Sequence, residues 1–509
     1  MSGRTLMIQG TASHVGKSTL VAGFCRLFAR RGYRVAPFKA QNMALNSYVT
    51  LDGREIGRSQ AFQARAAGVE PLAEMNPVLL KPSSETGSQV VLLGEPVKHM
   101  GVREYHAYQP IALETVAASL NFLRERFDLV IMEGAGSPAE INLRDRDIAN
   151  MRAAVLGDAP VLLVGDIERG GVFASLYGTM ALLTPEERVR VKGIIINKFR
   201  GDVSLLDSGL AFLENECKVP VLGVLPYLRR LIVEEEDSLG LEDRIGRSLE
   251  QSPSATSAGG QGSPLADVVV LRLPHISNFT DFDALAVEPG IQVRYVEDLA
   301  EWGEPHLVIL PGTKSTAADL GWLRERGLAA RIQEFASEGG KVLGICGGYQ
   351  MLGRAILDPE GVESGQQRIA GLGLLDVETR FQPTKERSRV LGIGCSGWLA
   401  GAELSGYEIH QGVTSRGPGA MPLLRLSQRG GRQEASEEGG IDPTGRIAGT
   451  YLHGLFDTPA CRSAFRSLLG LPNEALPTAS SLEVFDRLAD WLEQNLAMDQ
   501  ILSIVGLDG

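Results

Sequence analysis

Between residues 5 and 226, short apolar runs alternate with longer stretches whose apolar positions recur at helical spacing. The runs TLMIQG, RVAPFK, DLVIMEG, APVLLVGD, VKGIIINK and VPVLGVLP predict buried strands, and KSTLVAGFCRLFARRG predicts a helix between the first two. Runs this apolar do not suit a half-exposed sheet. They predict a mostly parallel sheet covered by helices on both faces.

The pattern then lapses. Residues 248–264, SLEQSPSATSAGGQGSP, are rich in Ser, Gly and Pro and lack apolar periodicity, so they read as a linker. Strand signals resume with ADVVVLRLP, IQVRYVE, HLVILPG, KVLGIC and RIAGTYLH, interleaved with helices, notably one over 315–337. The tail SSLEVFDRLADWLEQNLAMDQIL has the spacing of an amphipathic helix that docks on a domain. The expected layout is therefore two α/β domains, each a mostly parallel sheet flanked by helices. Residues 1–245 form the first, 246–265 a flexible linker, and 266–509 the second, with the helical tail.

Length and charge narrow the function. A chain of 509 residues with 44% hydrophobic content exceeds a single core. Its formal net charge of -12, with no long basic run, argues against nucleic acid and acidic membranes as partners. Five dispersed cysteines without a C-x-x-C pair argue against a disulfide framework or zinc site and fit a reducing cytoplasm. Neither a signal-peptide pattern nor a spanning-length apolar run is apparent. Oligomer formation is left open.

The segment GTASHVGKST, residues 10–19, follows a predicted strand and opens a predicted helix. It fits a phosphate-binding loop at Gly16, Lys17 and Ser18, with Thr19 following and Thr11 standing where the first glycine is usual. Backbone N–H groups there can surround phosphates, Lys17 supplies positive charge, and the Ser18 hydroxyl can join a Mg²⁺ shell. Glu133 and Asp166, at predicted strand ends, are further candidates for Mg²⁺. A turn carboxylate capping the next helix is the competing reading for each. Asn197 and Lys198 end another strand and are candidates for contact with adenine.

In LGICGGYQMLG, residues 343–353, a strand ends at Cys346 and glycines permit a tight turn into a helix. That is the layout of a nucleophile elbow with sulfur in place of oxygen. A thiolate nucleophile needs a base, and His453, at the end of RIAGTYLH, emerges where a sheet presents its active face. His410, in GYEIHQG, is the rival. The turn in LPGTKST could bring the Gly312–Thr313 region to join the Gly347 N–H as an oxyanion site.

Through GICGGYQ, LPGTKS and YLHG the second half resembles a class I glutamine amidotransferase. Through GTASHVGKST, FKAQN and MEGAG the first resembles the dethiobiotin synthetase group. Joined in this order they resemble the cobyrinic and cobyric acid amidases of vitamin B12 synthesis. The stretches FKAQNMALNSYVT, GREIGRSQAFQARAAG, MNPVLLKPSSETGSQVVLLG and GYEIHQG resemble the cobyric acid branch over almost the whole chain.

The resemblance implies amidation of the b, d, e and g carboxylates of adenosylcobyrinic acid a,c-diamide. ATP with Mg²⁺ and glutamine would be co-substrates, with no tightly bound organic cofactor. The alternatives are the sister activity that makes the a,c-diamide and, from another class, a P-loop partition or regulatory ATPase. In residues 39–48, KAQNMALNSY, Lys39, Gln41, Asn42 and Asn46 are candidates for a substrate-facing loop, with plain structural packing as the competing reading. Many class I glutaminases carry a glutamate two residues after the histidine. Here that place holds Leu455, so the group orienting His453 is unassigned.

Overall fold

The computed structural model describes residues 2–84, 87–228, 266–472 and 481–507. The chain divides into two units, one of Met1–Ala44, Glu55–Glu236 and Ala479–Gly509, the other of Leu45–Arg54 and Asp237–Thr478.

In the first unit, strand β1 (Arg4–Gly10) is buried at every position after Arg4. It turns through the glycine-containing loop into helix α1 (Lys17–Arg30). Strands β2 (Val35–Phe38), β3 (Leu129–Glu133), β4 (Val161–Asp166), β5 (Val191–Phe199) and β6 (Val221–Pro226) complete a sheet of order β6-β5-β4-β1-β3-β2. All of its pairings are parallel. Parallel neighbours require helical crossovers, which cover both faces and account for the uninterrupted apolar runs. Since β3 and β4 flank β1 on opposite sides, their C-terminal ends bring Glu133 and Asp166 to either side of the loop.

In the second unit, strands β7 (Ala266–Leu271), β8 (Ile291–Val296), β9 (Leu307–Leu310), β10 (Lys341–Ile345), β11 (Gly440–Ile441) and β12 (Ile447–Thr450) form a sheet of order β8-β7-β9-β10-β12-β11. It is parallel except for its two-residue edge strand β11. A second sheet is built on the long antiparallel pair Val377–Gly394 and Glu403–Arg416. The helix expected over 315–337 is two helices, Thr316–Glu325 and Leu328–Ser337. Gly327, at φ 75°, takes a left-handed conformation between them and ends the first.

The tail departs from the expected layout. Its helices, Ser481–Asn495 and Met498–Val505, belong to the first unit and not to the second. Their apolar face, with Phe485, Leu488 and Leu492, joins the cluster formed by Leu20, Phe24 and Phe28 of α1. The Phe62 and Phe485 rings lie 4.9 Å apart, and Arg26 Nε pairs with Asp486 at 2.8 Å. Gly23 makes the approach feasible, because a Cβ there would fall 2.6 Å from Leu492 Cδ1. The segment Leu45–Arg54 departs in the opposite sense and is part of the second unit. The expected linker, 246–265, lies outside the described residues.

Truncating Phe485, which is 1% exposed, removes a large side chain from this seam. Phe485→Ala should destabilise the first unit by about 3–5 kcal/mol, read as an earlier urea transition in circular dichroism. An unchanged transition would mean that the tail contributes nothing to that core.

Candidate active sites

At the phosphate loop, Gly16 has φ 100°, and a Cβ there would lie 2.3 Å from Asn197 Nδ2. Only glycine fits. Asn197 Nδ2 donates to the Val15 carbonyl at 2.8 Å, and the Lys198 ammonium donates to the His14 carbonyl at 2.7 Å. Both residues therefore brace the loop from the end of β5. Lys17 Nζ donates to the carbonyls of Ala12 and Gly136 at 2.8 and 3.0 Å, which holds its charge over the loop. The Thr11 N–H is bonded to Val164, and Thr19 lies half-buried in the first turn of α1.

Glu133 is 1% exposed, and three groups hold its carboxylate. Ser18 Oγ donates to Oε1 at 2.9 Å, Lys39 Nζ to Oε1 at 3.0 Å and Gln63 Nε2 to Oε2 at 2.6 Å. Burial alone would raise its pKa, but the Lys39 charge and these hydrogen bonds hold it below the ordinary carboxylate value. An ionised carboxylate against a loop hydroxyl is a hard oxygen pair. It fits Mg²⁺, which takes one or two protein oxygens and completes its shell with water and phosphate. Asp166 is engaged otherwise, with Lys198 at 2.9 Å and the Glu168 N–H at 2.8 Å. It closes a turn through the Glu168 N–H and does not cap the next helix, which starts at Val172 after Gly171 without a side-chain cap, and its carboxylate is paired with Lys198 while Ser18 and Glu133 bond each other.

The four residues expected on one substrate-facing loop separate. Lys39 meets Glu133, Gln41 accepts from the Tyr105 hydroxyl, and Asn42 donates to Gln60 at 3.0 Å, all in the first unit. Asn46 is in the second.

The second unit's site is built on a strained turn. Cys346 follows β10 at φ 52° and ψ -110°, a conformation that a non-glycine residue rarely adopts. Its N–H bonds to the Thr450 carbonyl at 2.8 Å, and the Gly348 N–H bonds to Pro311 at 3.1 Å. Side chains are excluded behind it, since a Cβ on Gly348 would fall 2.0 Å from the Leu310 carbonyl. The turn at 312–313 lies against both partners. A Cβ on Gly347 would meet Thr313 Cγ2 at 2.6 Å, and one on Gly312 would meet His453 Cε1 at 3.0 Å. The expected oxyanion residues and the histidine thus come together around Cys346.

The Cys346 thiol donates to the Ile409 carbonyl at 3.6 Å, and the neighbouring His453 is fully buried. Its Nδ1 lies 2.7 Å from Asp281 Oδ2, and the other Asp281 oxygen accepts the Gly454 N–H at 3.0 Å. Burial opposes the imidazolium, yet the charge and hydrogen bond of Asp281, with the neighbouring Cys346, push the His453 pKa up to about 10. Asp281 is the orienting group that sequence reading left unassigned. It comes from the loop HISNFTDFD after β7, far from His453 in sequence, and the available signal was a polar stretch following a buried parallel strand.

His410 behaves as a satisfied interior residue. Its Nδ1 bonds to the Gly412 carbonyl at 3.0 Å, its ring stacks on Tyr451, and burial depresses its pKa to about 3.

A cysteine on a strained strand-to-helix turn, with an Asp-oriented histidine and a glycine turn beside it, defines a glutaminase of the class I type. The phosphate loop defines an ATP-dependent partner. Residues 267–461 match the CobB/CobQ-like glutamine amidotransferase domain, and residues 6–239 match the CobQ/CobB/MinD/ParA nucleotide binding domain. The chain is 51% identical to a cobyric acid synthase from Sorangium cellulosum, with all of both chains covered. It is 49% identical to those from Yersinia enterocolitica, over 98% of each chain, and Pelotomaculum thermopropionicum, over 99% of this chain and 97% of that one. The chain belongs to the cobyric acid synthase family. It is accordingly a glutamine-dependent amidotransferase.

Asp281→Asn should keep the shape of the site and lower glutamine hydrolysis by on the order of 10³-fold, because an amide cannot stabilise the imidazolium. The sign of the pH effect follows from the raised His453 pKa. The imidazolium persists until pH reaches about 10, so losing Asp281 should move the alkaline limb of kcat/KM to lower pH. An unchanged rate and profile would remove Asp281 from the site.

Proposed function

We propose that the chain amidates the b, d, e and g carboxylates of adenosylcobyrinic acid a,c-diamide, consuming ATP and glutamine, to give adenosylcobyric acid. The observation that carries this reading is the pairing, on one chain, of a phosphate loop closed by Ser18 and Glu133 with the Cys346, His453 and Asp281 constellation.

Hydroxide is too poor a leaving group for ammonia to displace it from a carboxylate. Transfer of the ATP γ-phosphoryl to the carboxylate gives an acyl phosphate and ADP. Ammonia then attacks the acyl carbon and phosphate leaves. Lys17 neutralises the transferring phosphoryl and fixes its position. Ser18 and Glu133 would hold Mg²⁺, which supplies charge neutralisation at the phosphates. Asn197 and Lys198 support the loop, and adenine contact is the further role assigned to them.

Cys346 supplies the ammonia. Its thiolate attacks the glutamine side-chain amide while Gly347 and the 312–313 turn donate N–H groups to the oxyanion. The His453 imidazolium protonates the departing ammonia, and the neutral imidazole then activates water against the thioester, releasing glutamate. The five cysteines are free thiols, which suits a reducing compartment, and we assign the reaction to the cytoplasm.

Mass spectrometry of cobyrinic acid a,c-diamide after incubation with the protein, Mg-ATP and glutamine should count four carboxylates converted to amides. No conversion of either the adenosylated or the unadenosylated substrate would overturn the assignment.

Cys346→Ala should abolish glutamine-dependent synthesis and retain synthesis from added ammonia, while Lys17→Ala should stop amidation and spare glutamine hydrolysis. Loss of both activities in a folded Cys346→Ala variant would contradict this division of labour.

A further inference from the structure

The loop that carries Asp281 is held by a segment from elsewhere in the sequence. Residues 45–54 fall within the stretch matched by the nucleotide-binding family, yet they belong to the second unit. Asn46 Oδ1 accepts the Phe279 N–H at 3.2 Å. The Ser47 N–H donates to Asn278 Oδ1 at 2.9 Å, and the Ser47 carbonyl accepts the Tyr407 hydroxyl at 3.0 Å. Asn46 and Ser47 are fully buried, so water does not substitute for them in these bonds.

Each residue held in this way is next to the catalytic pair. Asn278 Nδ2 lies 3.3 Å from His453 Nε2, and the Tyr407 ring stacks on the His453 ring with centroids 5.3 Å apart. Tyr407 and His453 also exchange backbone hydrogen bonds at 2.9 and 3.2 Å. Phe279 stands two positions before Asp281. Because the Ser47 N–H engages Asn278 Oδ1, the amide presents its NH₂ to Nε2, a hydrogen bond made to the neutral imidazole and not to the imidazolium. Asn278 itself sits at φ 53°, a left-handed conformation in which asparagine is enriched, and its carbonyl accepts the Asp281 N–H at 2.9 Å within the same turn.

We propose that Asn46, with the backbone of Ser47, is a positioning residue for glutamine hydrolysis: it fixes the Asn278–Asp281 turn and through it the orientation of His453. Ammonia release then depends on a segment that begins only a few positions after Lys39, the residue paired with Glu133 at the phosphate loop. The inference rests on the assignment of Cys346, His453 and Asp281 above.

The test compares glutamate release from glutamine by the full-length parent, Asn46→Ala, Asn46→Asp and Asp281→Asn. A small displacement of an orienting group costs roughly 10- to 100-fold, so Asn46→Ala should lose about that much in kcat with little change in KM. Its alkaline limb should move to lower pH, as in Asp281→Asn. The titratable groups facing His453 in that profile are Asp281, Cys346, Tyr407 and His410. Asn46→Asp keeps an oxygen acceptor toward the Phe279 N–H but buries a carboxyl group, so it should recover the rate where pH keeps that group neutral and lose it as pH rises. The ratio of ammonia-dependent to glutamine-dependent amidation should rise at least about tenfold in Asn46→Ala.

A parent-like kcat and pH profile in Asn46→Ala, beside an impaired Asp281→Asn, would overturn the proposal and leave the catalytic assignment intact. A parent-like Asp281→Asn would overturn the assignment itself. Lost ammonia-dependent amidation with intact glutamine hydrolysis would return Asn46 to a substrate-facing role. Should Asn46→Ala show no cooperative melting transition, Asn46→Ser carries the same comparison.

Discussion

A carboxylate buried without partners is too costly for a folded chain to keep ionised, and each site here is organised around the answer to that constraint. Glu133 is held by an ammonium, an amide and a hydroxyl. Asp281 is held by an imidazole and a backbone N–H. The partners that make burial tolerable are the groups that the chemistry needs in fixed places: Ser18 of the phosphate loop and His453 beside the thiol. Satisfying the charge and assembling the site are one event. The same logic separates His453 from His410, since His453 has a carboxylate and remains basic, while His410 has a carbonyl and is held neutral.

Both sites use the same property of parallel sheets. Strand ends on one edge present their following loops together, and residues distant in sequence converge there without long-range pairing of side chains in the core. Cys346 follows β10, His453 follows β12, Gly312 follows β9, and Asp281 lies in the loop after β7. Four loops supply one constellation. In the first unit, the loop after β1 and the ends of β3, β4 and β5 do the same.

What could be read in the sequence was whatever is local. The apolar runs marked the parallel strands, and the glycines at 344, 347 and 348 marked the turn that exposes Cys346, because local steric demands leave a local signature. Asp281 was missed because its role is defined by a partner 172 positions away, and a loop aspartate carries no periodicity. The tail's amphipathic face was legible, but two domains competed for it, and the contacts that decide between them, such as Leu492 against Gly23 and Phe485 against Phe62, leave no local signature. Asn46 was visible as a polar residue in a loop. Its burial against Phe279 was not, since nothing in a short polar stretch says which unit will claim it. The long helix failed at Gly327, where the left-handed backbone ends a pattern that periodicity alone would have continued.

The placement of the final helices bears on how the chain matures. Synthesis proceeds from the N-terminus, and domains ordinarily fold in the order in which they leave the ribosome. Here the face of α1 bearing Leu20, Phe24 and Phe28 is covered by residues near the very end of the chain. That apolar surface must wait through translation of the whole intervening polypeptide before its cover exists. The first unit therefore cannot be finished before the second has been translated, and a ribosome that stops before residue 481 leaves a hydrophobic face for chaperones to shield.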